Sequence, residues 1–295
     1  MQTIKTRTIM TKADHGDKWF GIDYHMNLYK GCNFGCIYCN VRSDTYHTDD
    51  FEEIKIKENA LEILERELAS KAKPGVVSFG TLSDPYNEKE VDLKLTRGAL
   101  ELILKYGFGV SIDTKSDLIL RDLDLLQRIS EQQNVIIKIS VTTMDERLAS
   151  ILEPKVISPK QRLRLLRKLR EADLFSGLLL HPVLPFITDN EDNITKIIQE
   201  GFKANTNFIY TKMGMTLQTN QKDYYFEKIE EHYKGLSLDY KAVYGNRFHC
   251  NTVQYRHLME NFLAKTHTLG ILSDMDEIIR SYKKEIPQTT QISLF

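Results

Sequence analysis

Between residues 20 and 217, short β-branched apolar runs alternate with amphipathic stretches, and that alternation restricts the fold more than any other feature of the chain. Residues 20–26, 76–80, 109–114, 135–143, 176–184 and 208–217 read as strands. The stretches 59–72, 95–106, 121–131, 159–172 and 192–204 read as helices, the first with Leu61, Leu64 and Leu68 on one face. Each repeat is roughly 30 residues, the length of a strand, a crossover helix and a parallel strand. Near-continuous apolar strands are what a parallel sheet covered by helices requires. A doubly wound sheet and a full or partial barrel both fit, because the period does not report whether the sheet closes. Six units would make an incomplete barrel. Beyond Leu217 the pattern changes to helices at 221–233, 254–267 and 275–284 with no strong strand between them. The expected organisation is an N-terminal segment (1–19), the α/β unit (20–217), a helical C-terminal extension (218–286) and a flexible tail (287–295).

Forty Lys and Arg against 41 Asp and Glu leave a formal net charge of -1. No global field recruits a polyanion, so a nucleic-acid partner would have to be met locally. The longest apolar stretches, 175–180 and 135–141, fall far short of the roughly 18 residues of a membrane span, so no membrane partner is expected. The opening residues show neither an apolar h-region nor a small-residue cleavage site. A cytoplasmic location, with reduced thiols, is the expectation.

Three of the four cysteines, Cys32, Cys36 and Cys39, fall within eight residues directly after the first expected strand. Loops at the carboxyl ends of parallel strands are where such folds build active sites. Gly31 and Gly35 let the backbone fold tightly enough for three sulfurs to converge on a soft or borderline metal. A closed [4Fe-4S] cluster uses four thiolates, so three would leave one iron open to a small molecule. Structural zinc competes, its tetrahedron completed by His25, His47 or Cys250. Cys250, remote in sequence, reads as a buried core thiol, a fourth ligand, a hydrogen-atom donor or a substrate contact.

The spacing Cys32-x3-Cys36-x2-Cys39, with Tyr38 just before the third cysteine, resembles the signature loop of radical S-adenosylmethionine (SAM) enzymes. Residues 27–32, 80–86, 96–97, 114–122, 140–143, 153–154 and 162–163 resemble, in order, segments of the spore photoproduct lyase-like, or DNA repair photolyase-like, branch. The resemblance implies an α/β fold, namely a partial (β/α)6 radical SAM barrel with a helical C-terminal extension. It implies a [4Fe-4S] cluster on Cys32, Cys36 and Cys39, and an electron donor such as flavodoxin or ferredoxin. Reductive cleavage of S-adenosyl-L-methionine would then give a 5′-deoxyadenosyl radical that takes a hydrogen from the substrate, with the cofactors carrying the hard chemistry. Tyr38, Ser83, Lys115 and Ser140 are implied as contacts to SAM. The competing readings are a surface lysine for Lys115 and a backbone-satisfied strand-end hydroxyl for Ser140. Asp84, before Pro85, is either a loop carboxylate contacting substrate or a turn cap, and Tyr86 is open in the same way. Glu153, before Pro154, is either an inward polar group or a helix end.

Two departures from that branch touch the return of the hydrogen atom. Spore photoproduct lyases carry a cysteine where this chain has Thr81, whose O–H bond is too strong for the role, and a tyrosine where it has Asn40. Both argue against thymine-dimer repair and leave SAM cleavage standing; Cys250 is the candidate replacement donor. The substrate is expected to be a nucleic-acid base, in DNA repair or modification, through a lyase-like or transfer reaction. Lys160, Arg164, Arg167 and Lys168 share a helix face that either meets phosphates or is a solvated outer face, with Leu163, Leu166 and Leu169 packed inward. The segment 240–255, with Tyr244, Arg247, Phe248, His249 and Tyr255, offers either base-stacking surfaces or core. The last residues, Gln291, Ile292, Ser293, Leu294 and Phe295, resemble the short bacterial sliding-clamp-binding motif, against a tail folded onto its own barrel. The alternative function is a clamp-associated nucleic-acid-binding protein with a structural Cys3His zinc site.

Overall fold

The computed structural model describes residues 2–14, 18–46 and 50–283. The chain opens with β1 (Thr3–Ile4) and β2 (Met10–Lys12), passes through a 3-10 turn at Trp19–Gly21, and enters β3 (Tyr24–Met26). After β4 (Tyr29–Lys30) comes the cysteine loop, then β5 (Lys55–Lys57) and α1 (Ala60–Ala69). The repeating unit follows: β6 (Val76–Phe79), α2 (Glu90–Leu93), α3 (Leu95–Tyr106), β7 (Gly109–Thr114), α4 (Leu123–Gln132), β8 (Val135–Ser140), α5 (Glu146–Leu152), α6 (Pro159–Glu171), β9 (Ser176–Leu180), α7 (Glu191–Lys203) and β10 (Ile209–Thr211). The C-terminal part holds β11 (Gly214–Thr216), α8 (Thr219–Glu230), α9 (Leu236–Tyr244), β12 (His249–Asn251), α10 (Tyr255–Thr268) and α11 (Met275–Tyr282).

Local chemistry explains the helix boundaries. Ser158 and Gln161 close a capping box at the start of α6, with Pro159 in the first turn where its missing N–H costs nothing. Asn190 caps α7 by accepting from Asn193, and α3 stops at Gly107, which turns left-handed.

Strand order settles what periodicity left open. In the main sheet the order is β10-β9-β8-β7-β6-β3-β2, so the parallel strands lie in space as they lie in sequence. A doubly wound sheet reverses direction at a switch point; this one never does. It is a singly wound, partial (β/α)6 barrel, with β2 added antiparallel at one edge. Alternation along β8 separates the faces: Val135, Ile137 and Ile139 pack outward among the helices, whereas Ile136 faces the interior with Leu179 and Phe208. Each such buried aliphatic side chain contributes about 1.5–3 kcal/mol.

The interior is plugged by the 3-10 turn. Phe20, fully buried, meets Phe208 and Tyr210 at centroid distances of 5.6 and 5.4 Å. Tyr282 of α11 donates to the Phe20 carbonyl at 2.5 Å, so α11 is tied to the plug. Lys138 lies 4.7 Å from the Phe20 ring centroid, pairs with Asp113 at 2.7 Å and donates to Ser111 at 2.8 Å.

Several expected elements change. The first strand is shorter, because Phe20 and Gly21 turn left-handed and end the extended chain at the plug. The single expected sixth strand divides at Met213, also left-handed, into β10 in the barrel and β11 outside it. The C-terminal extension is not purely helical: β12 pairs antiparallel with β11, setting Cys250 opposite Met215. A three-residue strand whose partner lies far off in sequence leaves no periodic signal. Helices α5 and α9 and the small sheet β1-β5-β4 were likewise not anticipated.

Candidate active site

The carboxyl ends of the parallel strands converge on a cavity of about 220 Å³. Cys32, Cys36, Cys39 and Tyr38 line it from the loop after β4; Ser83 and Asp84 come from the loop after β6, Lys115 from the end of β7 and Ser140 from the end of β8. Seven of the side chains singled out by sequence thus meet, with Asp84 as the eighth. Tyr86 is fully buried in the main core instead, and Cys250 sits among Tyr225, Tyr240 and Tyr244, behind Met215. Neither is among the residues that line this cavity.

The cysteine loop is held by bonds that spacing does not reveal. Gly31 adopts a left-handed φ of 86°, and a Cβ there would overlap the Glu53 carbonyl. Ser83 donates to the Gly31 carbonyl at 2.5 Å, spending its proton on that loop. Arg42 packs between Phe51 and Tyr224, 4.8 and 4.1 Å from their centroids, and pairs with Glu52 at 2.9 Å. From α8, Gln221 donates to the Tyr38 carbonyl at 3.2 Å and Asn220 to that of Arg42 at 3.1 Å.

Asp84 accepts three hydrogen bonds from its own surroundings. It receives Thr114 Oγ1 and the Lys115 N–H at 2.8 Å, and the Tyr86 N–H at 2.9 Å. Burial raises its pKa despite those donors. Its carboxylate therefore fastens the loop after β6 to the end of β7 and sets the position of Lys115.

Tyr38 donates to Glu153 and lies 3.4 Å from Thr142 Oγ1. Glu153 pairs with Arg162 at 2.5 Å, and Arg162 donates to the Ser140 carbonyl at 2.7 Å. Burial alone would raise the Glu153 pKa, but Arg162 and Lys115 hold it below the ordinary carboxylate range. Lys115 lies 5.8 Å from the Tyr38 ring centroid and forms no ion pair among the described residues. Burial works against its charge, and Cys36 and Glu153 more than restore it, so its pKa is raised. Sequence reasoning gave Arg162 as part of a resembling segment, without an inward role; its spacing of four and seven residues before the inward-facing Leu166 and Leu169 was the available signal.

The thiols fit a multinuclear metal group. Burial pushes the Cys32 thiol up to about 11 and raises Cys36 and Cys39 as well. Thiolates in so apolar a cradle need the positive charge of a metal to form. Among the described residues no three His, Cys, Asp or Glu side chains converge closely enough for a single ion. Of the proposed fourth zinc ligands, His25 contacts Thr81 at 3.4 Å, Cys250 lies in the aromatic cluster, and His47 lies outside the described residues.

A model of the radical SAM superfamily matches residues 26–198. The chain belongs to the radical SAM superfamily. Among relatives in sequence, an uncharacterized protein of Methanocaldococcus jannaschii is 30% identical over 221 residues, 74% of this chain and 80% of that one. An uncharacterized protein of Mycobacterium tuberculosis is 27% identical over 228 residues, covering 75% and 67%. A solved structure of spore photoproduct lyase superposes with a TM-score of 0.69 at 16% identity, over 92% of this chain and 80% of that one. Another, complexed with dinucleoside spore photoproduct, gives 0.68 at 15%, over 91% and 79%. The radical SAM methyltransferase TsrM of Kitasatospora setae, with cobalamin and a [4Fe-4S] cluster bound, gives 0.55 at 11%, over 88% and 60%. Such identities show a shared fold. Radical SAM membership in turn implies SAM and an iron–sulfur cluster as the cofactors. No helix among the described residues is long and apolar enough to cross a membrane.

Proposed function

We propose that this radical SAM enzyme holds a [4Fe-4S] cluster on Cys32, Cys36 and Cys39, cleaves SAM reductively, and acts on a nucleic-acid base. The observation that carries the reading is the convergence of three thiols, one buried and two half-buried, an ammonium without an ion pair among the described residues, and a strand-end hydroxyl on one cavity. When bound, the cluster supplies the electron that breaks a C–S bond of SAM. The chain supplies orientation and exclusion of water. Lys115, placed by Asp84, is a cation free to meet the SAM carboxylate, and Ser140 offers a hydroxyl beside it. The Tyr38 ring, anchored through Glu153 and Arg162, forms the wall between the cysteines and the barrel.

The base as substrate is supported by the fold shared with spore photoproduct lyase, one of whose structures holds a dinucleoside ligand. Thr81 and Asn40, the two departures from that branch, both line the cavity, so its repair reaction is not carried over. The group that returns hydrogen to the product is left unassigned. Cys250 would have to act from behind Met215 to fill the role. An electron donor of the flavodoxin or ferredoxin kind, and a sliding clamp met through residues 291–295, are the proposed partners; those five residues lie outside the described ones.

Anaerobic reconstitution should give about four irons per chain, and dithionite should turn added SAM into 5′-deoxyadenosine. Cys36→Ala should lose iron and activity and keep its far-ultraviolet circular dichroism. One tightly bound zinc per chain with SAM left intact would replace this reading with the zinc alternative.

A further inference from the structure

The loop that carries the thiols has a cation packed against it. The 3-10 turn Asn40–Arg42 follows Cys39 directly, and the Arg42 N–H donates to the Cys39 carbonyl at 3.3 Å. The side chain folds back toward the loop, with Nε donating to the Cys36 carbonyl at 3.4 Å. Arg42 does not line the cavity, whereas Phe51, one of the two rings against its guanidinium, does. The charge therefore stands close to the backbone of two of the three cysteines without entering the cavity.

Its surroundings keep water away. Phe51 and Tyr224 bracket the guanidinium at 4.8 and 4.1 Å, and the side chain is 9% exposed. Its acidic partner Glu52, 2.9 Å away, is 43% exposed and also meets Lys155 at 3.3 Å. The positive end of the pair thus lies inside and the negative end at the surface, where solvent and salt screen it. What remains at the thiols is a net positive field. Burying a charge is costly, and a neutral side chain would fill a slot between two rings at less cost. The positive charge therefore calls for a use beyond packing.

The potential of an iron–sulfur cluster follows its net charge, its hydrogen bonds and its exposure to solvent. Uptake of an electron makes a thiolate-bound cluster more negative, so a fixed cation beside it favours the reduced state. We propose, on the reading of Cys32, Cys36 and Cys39 as [4Fe-4S] ligands, that Arg42 raises the reduction potential of the cluster and so helps an external donor deliver its electron. The step tuned is the gain of one electron from a carrier of the flavodoxin or ferredoxin kind; no bond forms or breaks in it. Arg42 is a positioning residue that acts through its charge, and Glu52 moderates it from the surface.

The test is an anaerobic redox titration of the reconstituted chain without SAM, followed by electron paramagnetic resonance, with iron content measured alongside. Arg42→Gln should lower the potential, changing the ratio of reduced to oxidised cluster about tenfold at a fixed potential, which is about 59 mV for one electron. Arg42→Lys, which keeps the charge, should recover most of that shift. Glu52→Gln should move the potential the other way, by about threefold in the same ratio, because its charge is partly screened by water. A role in packing alone gives no such pair of opposite signs. An unchanged potential in Arg42→Gln, a shift in Arg42→Lys as large as in Arg42→Gln, or no rise in Glu52→Gln overturns the proposal. Where Arg42→Gln does not hold iron, Glu52→Gln decides. A full iron complement with unmoved potentials defeats the proposal alone, whereas an unaltered chain that assembles no cluster defeats the reading of the thiols with it.

Discussion

Glu153 and Arg162 form a buried ion pair whose two members have other tasks, Glu153 receiving Tyr38 and Arg162 reaching the Ser140 carbonyl. Removing one partner leaves the other charged, buried and unpaired. Arg162→Met should therefore cost about 3–5 kcal/mol of stability in urea unfolding, and adding Glu153→Gln to the same chain should recover much of it. Asp84→Ala strands three donors at once, one hydroxyl and two backbone N–H groups. A loss of at least about 1–3 kcal/mol is expected, together with weaker SAM binding in calorimetry because Lys115 is no longer placed. An Asp84→Ala chain that binds SAM normally would show that Lys115 needs no such support.

The cysteine loop is shaped by elements that contribute no ligand. It is pinned by the loop after β6 through Ser83, by the backbone at Glu53, just before β5, through close packing against Gly31, and by the first turn of α8 through Gln221 and Asn220. Gly31→Ala adds a Cβ against the Glu53 carbonyl at a left-handed position, so the loop must move. Iron content after reconstitution should fall severalfold. Gly235 is left-handed with nothing within 4 Å of its would-be Cβ, so Gly235→Ala should cost only about 1–2 kcal/mol and leave iron content intact. Equal iron loss in both variants would remove the argument from packing. The β11–β12 ribbon has a comparable indirect role: it presents Met215 to the cavity while burying Cys250 behind it, 1% exposed.

The folded molecule as a whole resists protonation at its centre. As pH falls through 6.5, the unfolded chain takes up a proton at His181, and the folded chain, where burial and then Lys212 and Lys115 disfavour the charged ring, holds out to about 4. The unfolded state binds more protons across that window, so stability should decrease from pH 6.5 toward 4 and be independent of this group above 6.5. Glu153, held below its ordinary value, adds to the loss only at the acid end. Urea midpoints against pH should show the slope, and His181→Phe should flatten it between about 5 and 6.5. With a net charge of -1, the molecule has no field with which to find DNA. If residues 291–295 deliver it to a sliding clamp, their deletion should abolish binding to that clamp and leave iron content unchanged.

What the chain determines by itself is local. Strand and helix periods and three thiols in one loop arise from residues within a few positions of one another, and these were legible. Ser83, Lys115 and Ser140 were named only through the family resemblance, and the structure brings all three to the cavity. The tertiary structure decided the rest: that the strands wind in one direction and leave the barrel open, that the sixth run breaks at Met213, and that Arg162 leaves its basic neighbours to join Glu153. It also decided that Arg42 lies between Phe51 and Tyr224 against the cysteine loop. Each of these depends on contacts between separate elements, whose pairing is set by register, packing and chain closure. Periodicity, which reports only near neighbours, carries no record of them.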